Sequence, residues 1–167
     1  MCYSTKAERL RVSYNGHYAS FPNWSQEFDS PHPHQKKIKG VFIMNIKIEL
    51  IPVPVTDVDK AIDFYTNKAG FNLDHDHKVQ PGLRFTQLTP PGSACSIVIG
   101  EGITTMQPGT QEIQCVVEDA GKLREELIAK GVEASDLETM PWGIFTRYTD
   151  PDGNKWAMQQ INPEQQK

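Results

Sequence analysis

The feature that most constrains the fold is an internal repeat. Val53-Pro54-Val55-Thr56-Asp57 and Cys115-Val116-Val117-Glu118-Asp119 are both short β-branched runs that end in aspartate. A helical pattern follows each one. The first runs from Val58 to Lys68, with Val58, Ala61, Ile62 and Tyr65 on one face; the second runs from Ala120 to Lys130, with Ala120, Leu123, Leu127 and Ile128. Each pattern closes on a lysine and a glycine, Gly70 or Gly131, the expected stop for a helix. Asp57 and Asp119 suit the N-cap, where a carboxylate accepts from free backbone N–H groups.

Three strand-like segments follow the first helix, at 71–77, 83–89 and 94–100, and three follow the second, at 132–137, 144–149 and 155–161. Gly- and Pro-rich turns separate them: Gln80-Pro81-Gly82, Pro90-Pro91-Gly92-Ser93, Met140-Pro141-Trp142-Gly143 and Asp150-Pro151-Asp152-Gly153-Asn154. The unit is βαβββ, used twice. The expected class is α+β, with two βαβββ repeats forming a curved eight-stranded cup and the helices on its outer face. Repeat 1 spans about 46–101 and repeat 2 about 110–162.

Alternation sorts the strand residues into two faces. In the strand expected at 47–55, Ile51, Val53 and Val55 face the helix, leaving Ile48, Leu50, Pro52 and Pro54 for the cup. In the strand expected at 112–117, Ile113, Cys115 and Val117 face the helix, leaving Glu112, Gln114 and Val116. In the last strand Trp156 and Met158 go inward, and Lys155, Ala157 and Gln159 face the cup. The polar lining is then Glu112, Gln114, Gln159, Gln87 and Arg147, with Phe85, Trp142 and Phe145 as aromatic walls. A concave, largely apolar pocket with few polar groups suits a small organic molecule. Glu112 is the candidate general base, should burial raise its pKa toward neutrality. Plainer readings stand beside these: Trp142 as a loop anchor, Arg147 paired with a surface carboxylate.

Residues 1–43 differ in character. They are rich in Ser, Tyr, His, Pro and Asn and lack apolar periodicity, so they read as an extension to a domain at 44–163. His17, His32 and His34 as metal ligands, or Cys2 as a reactive thiol, are the sharper readings of this arm, without convincing spacing. Net charge is −4 and no basic stripe is present, which argues against a nucleic-acid partner. Apolar runs fall well short of the roughly 18 residues of a membrane span. Three cysteines, with no CxxC pair, read as free thiols of a cytoplasmic protein.

Val53 to Tyr65, Pro141-Trp142-Gly143 and Asp150 to Asn154 together resemble the opening strand and helix and the closing hairpin of the glyoxalase / bleomycin-resistance / extradiol-dioxygenase superfamily, also called vicinal oxygen chelate. The resemblance covers about residues 44–163. It implies a homodimer, and either metal-dependent lyase, isomerase or dioxygenase chemistry or metal-free drug binding. Active relatives take one metal ligand, typically His, Glu or Gln, from each of four strands. The matching positions here are Leu50, Ile97 or Val98, Glu112 and Ala157. One oxygen donor out of four cannot hold a divalent ion against water, so no metal and no cofactor is expected. Asp74-His75-Asp76-His77 offers two imidazoles on one strand face and reads as an exposed polar strand at a sheet end. The reading that follows is metal-independent binding or sequestration of a small hydrophobic or aromatic molecule. The alternatives are an enzyme with an unconventional metal site or with Glu112 as base, and a dimeric scaffold without ligand.

Overall fold

The computed structural model describes residues 46–162 and the backbone of Ser13–Tyr14 and His17–Tyr18. The chain divides into two units, Met1–Met44 and Asn45–Lys167. In the first, β1 (Ser13–Tyr14) and β2 (His17–Tyr18) pair antiparallel, Ser13 opposite Tyr18. The readings placed on Cys2, His32, His34 and the rest of 1–43 lie outside the described residues.

The second unit carries β3 (Leu50–Pro52), α1 (Val58–Asp63), a π-helical turn (Phe64–Lys68), β4 (Asn72–Gln80), β5 (Leu83–Thr89) and β6 (Ser96–Ile99). It continues through β7 (Glu112–Val117), α2 (Ala120–Ala129), β8 (Glu138–Met140), β9 (Gly143–Thr149) and β10 (Lys155–Ile161). This is βαβββ twice, an α+β fold. The eight strands form two sheets of four, ordered β3-β6-β5-β4 and β7-β10-β9-β8. In each, the first strand lies parallel to the last and the remaining pairs are antiparallel. No helix among the described residues is long and apolar enough to cross a membrane.

The helix starts follow the capping expectation. Asp57 accepts from the Lys60 N–H at 3.1 Å and Asp119 from the Lys122 N–H at 2.9 Å. Gly70 and Gly131 stand at φ of 79° and 75°, the left-handed conformation that ends a helix cheaply only at glycine.

Four local expectations change. The strand expected at 47–55 shortens to Leu50–Pro52, because Pro52 and Pro54 lack the N–H a ladder needs. The strand expected at 132–137 reduces to a bridge between Ala134 and Tyr148, and regular pairing resumes only at Glu138. Side chains take the ladder's place there: Thr146 Oγ1 donates to the Ser135 carbonyl, and the Arg147 N–H donates to Ser135 Oγ. Ile128 is exposed rather than in the core. His75 and His77 lie within β4, the longest strand, at the sheet's edge rather than at a strand end.

Val58, Ala61 and Tyr65 are buried as their spacing requires, and Phe64 joins them. From Phe64 the helix widens into the π turn: the Ala69 N–H bonds back to the Phe64 carbonyl at 3.0 Å, five residues apart. Ala61, Phe64 and Tyr65 stand at i, i+3 and i+4, so one helical face carries both rings inward, and the π turn lies at the end of that face. The two rings meet residues of the second repeat. Tyr65 sits edge-on to Trp156 at 5.7 Å, and Phe64 lies 6.2 Å from Tyr148. Both repeats thus share one core, with Trp156 almost wholly buried in it.

Two polar networks fix this arrangement. Buried Arg84 forks onto Asp76 with two bonds of 2.8 Å and reaches Asp59 of α1 at 2.8 Å. The second centres on Asp150. Its carboxylate accepts from the Tyr65 hydroxyl at 2.7 Å, from the Asn154 side chain at 2.7 Å and from the Asn154 N–H at 2.8 Å. Asn154 in turn donates to the Pro54 carbonyl at 2.8 Å and accepts from the Gly109 N–H at 3.1 Å. The closing turn ties the opening of repeat 1 to the entrance of repeat 2.

Candidate functional site

Register assigns the faces directly. Leu50 lies opposite Ser96 and Pro52 opposite Val98; Val98 lies opposite Gln87, and Gln87 opposite His75. Phe85 lies opposite His77. The non-helix face of the first sheet therefore carries Leu50, Pro52, Ser96, Val98, Phe85, Gln87, His75 and His77. The matching face of the second carries Glu112, Gln114 and Val116 on β7, with Lys155, Ala157 and Gln159 on β10 and Arg147 and Phe145 on β9.

Repeat equivalence settles the position left open between Ile97 and Val98. Glu112 pairs with Lys155, and two residues on Gln114 pairs with Ala157. Leu50 pairs with Ser96, and two residues on Pro52 pairs with Val98. Val98 is thus the counterpart of Ala157, while Ile97 points into the core. The family's ligand positions hold Leu50, Val98, Ala157 and Glu112. Three are hydrocarbon, and this donor set does not fit a divalent ion. Among the described residues no three His, Cys, Asp or Glu side chains converge on a common point.

The sequence-derived residues fall into separate groups. Glu112, Arg147 and Ala157 line one cavity of about 470 Å³, together with Lys155, Glu133 and Ser135. Glu112 is exposed, so this chain alone does not supply the burial that a general base at this position requires. Arg147 pairs with Glu138 and lies 5.4 Å from the centre of the Phe145 ring. The plainer reading of Arg147, a surface ion pair, describes what it does here.

Gln114 lines a second cavity of about 370 Å³ between the edges of the two sheets, beside Ile51, Cys95, Cys115 and Trp156. Burial pushes both thiols up from their ordinary value, so they are protonated and weakly nucleophilic at neutral pH. The Gln114 side chain donates to Gln159 Oε1 at 2.5 Å, and Gln159 Nε2 donates to the Trp142 carbonyl at 2.9 Å. Gln159 is buried by these bonds. Trp142 is 51% exposed, and it is its carbonyl that anchors the loop.

Leu50, Pro52, Phe85 and Gln87 line neither cavity. On their sheet Gln87 Nε2 donates to Ser96 Oγ at 3.1 Å, and Ser96 Oγ shares a 2.6 Å bond with Thr89 Oγ1. Thr89 also donates to Asp74. The parity argument missed Ser96, Thr89 and Asp74. The pairing slips between Leu73 and His75, a bulge at Asp74 that no turn residue announces.

Comparison with known proteins agrees with this frame. The family described as Glyoxalase/Bleomycin resistance protein/Dioxygenase superfamily matches residues 47–158. TnmS3, an antibiotic binding protein from Streptomyces sp. CB03234, is 30% identical with a TM-score of 0.66, over 72% of this chain and 99% of that one. A glyoxalase/bleomycin resistance protein from the same source is 32% identical with a TM-score of 0.62, over 68% of this chain and all of that one (100%). The uncharacterized protein YetH of Bacillus subtilis (strain 168) is 29% identical over 119 residues, 68% of this chain and 98% of its own length.

Proposed function

Because this chain belongs to the glyoxalase/bleomycin resistance protein/dioxygenase superfamily, we propose that it binds and sequesters a small hydrophobic or aromatic molecule without a metal at the family position. One observation carries the reading: hydrocarbon side chains at Leu50, Val98 and Ala157 stand where a ligand-holding metal would need N or O donors. What remains on the two faces away from the helices is apolar surface, amides held in fixed orientation, and a few ionisable groups that include Glu112 and Arg147. Such a lining orients an amphipathic molecule by a few hydrogen bonds and gains affinity by excluding water. Similarity to an antibiotic binding protein points the same way.

The site residues in this reading are Leu50, Pro52, Phe85 and Gln87 from the first sheet, and Gln114, Trp142, Arg147, Ala157 and Gln159 from the second. In one chain the first set lies outside the cavity lined by Arg147 and Ala157. A homodimer that sets one copy's first sheet against its partner's second completes the cup. Family membership supports that assembly.

A thermal-shift screen of hydrophobic and aromatic compounds tests the reading. At a hundred times its Kd, a bound compound stabilises the fold by about 2.7 kcal/mol. Ala157→Trp, which fills the cavity, abolishes that shift. A panel that moves the melting temperature nowhere favours the scaffold reading instead. Glu112 lines the same cavity and keeps a second, enzymatic reading in play. That reading requires turnover of the bound compound that Glu112→Gln removes while binding persists.

A further inference from the structure

We propose that His75 and His77 chelate one divalent transition-metal ion of the imidazole-preferring kind, Cu²⁺, Ni²⁺ or Zn²⁺, on the face of the first sheet away from the helix. Alternation along β4 puts both imidazoles on the same face, and their register opposite Gln87 and Phe85 makes it the one away from the helix. Their ring centres lie 5.7 Å apart with the planes 23° from parallel. Two imidazoles that share an ion at about 2.0–2.1 Å with near-tetrahedral geometry have ring centres roughly 5–5.5 Å apart. The observed spacing is close to that, and the rings must turn about their side-chain bonds to bring one nitrogen of each onto the ion.

The surroundings favour a cation. Arg84 and Lys78, which pair across β4 and β5, are on the opposite face, Arg84 held by Asp76 and Asp59. On the same face the bulge turns the Asp74 carboxylate inward to Thr89. Two nitrogen donors from one strand leave open coordination positions, which water or an oxygen of a molecule in the cup fills. None of the family's ligand positions lies on β4, so this site is distinct from the hydrocarbon positions, although it shares a face with Phe85 and Gln87.

The chain has five histidines. A full-length His17→Ala/His32→Ala/His34→Ala variant leaves His75 and His77 as its only imidazoles. Titration with Ni²⁺, followed by side-chain NMR, should broaden both imidazole signals together before one equivalent is added, with Mg²⁺ leaving them sharp. Further substitution of either residue, His75→Ala or His77→Ala, should weaken Ni²⁺ binding at least tenfold by calorimetry, and Glu112→Gln should leave it unchanged. Signals that stay sharp at one equivalent of Ni²⁺, or single variants that bind as well as their parent, overturn the proposal.

Discussion

The two repeats share a strand order and a capping aspartate, yet their helices do different work. In the second repeat ten residues form a regular helix that packs on its own sheet, on β9 and β10. In the first, six helical residues give way to a π turn. Its first two residues, Phe64 and Tyr65, meet aromatic residues of the other repeat. The polar fastenings differ too. Repeat 1 fixes its helix to its sheet through buried Arg84. Among the described residues the ion pairs of repeat 2, Lys122–Asp119, Arg124–Asp136 and Arg147–Glu138, are all made by cations more exposed than Arg84. Duplicated topology does not imply duplicated energetics: the frame repeats, and the cohesion runs from one copy into the other.

Substituting Trp156 should break this comparison most severely. Trp156→Ala removes the ring on which Tyr65, Phe71 and Tyr148 converge, at a cost of about 3–5 kcal/mol. Because the core is shared, urea unfolding should remain a single transition at lower midpoint. Two resolved transitions would mean that the repeats fold separately. Tyr65→Phe is milder, at about 1–3 kcal/mol, since it strips a donor from the Asp150 carboxylate in a buried setting. The residue at the same distance from its capping aspartate in repeat 2 is Leu127, which has no hydroxyl to lose. The asymmetry of the fastening is therefore measurable at one pair of positions.

The smallest effect concerns acid. The Arg84 guanidinium holds the Asp76 carboxyl below the usual carboxylate range, with the Thr86 hydroxyl adding to it. A carboxyl depressed in the folded state contributes stability that is complete above its ordinary value of about 3.9 and is lost as pH falls from there through the folded value. Hydrogen exchange below about pH 4 should therefore show the first sheet losing protection before the second. Asp76→Asn should flatten that pH response while lowering stability near neutrality.

Much of the fold was legible because its signals are local. The aspartate caps, the glycine stops and the strands at 83–89, 112–117 and 155–161 follow from spacing and turn chemistry, and the structure reproduces those three strands residue for residue. What was illegible depends on partners distant in sequence. Phe64 stands three residues after Ala61 and so lies within the helical stripe read only at Val58, Ala61, Ile62 and Tyr65; the π turn that begins there has no such signal. In the strand expected at 132–137, the Thr146 hydroxyl donates to the Ser135 carbonyl and the Ser135 hydroxyl accepts from the Arg147 N–H, so side chains replace part of the ladder. For the site, parity placed Glu112, Gln114, Ala157 and Gln159 on one face. It said nothing of how far the first sheet's residues stand from them, and the bulge at Asp74 hid the polar chain through Thr89 and Ser96.

The Tyr65–Asp150 bond spans 85 residues of chain. During synthesis at about 5–20 residues per second, roughly 4–17 s pass between the emergence of that tyrosine and of its acceptor. Throughout that interval Tyr65 has Phe71 of its own repeat against it, while Trp156 and Tyr148, the rings that complete its cover and that of Phe64, are still missing. The nascent first half is therefore a sticky intermediate by construction, and its exposure ends only when the closing turn leaves the ribosome.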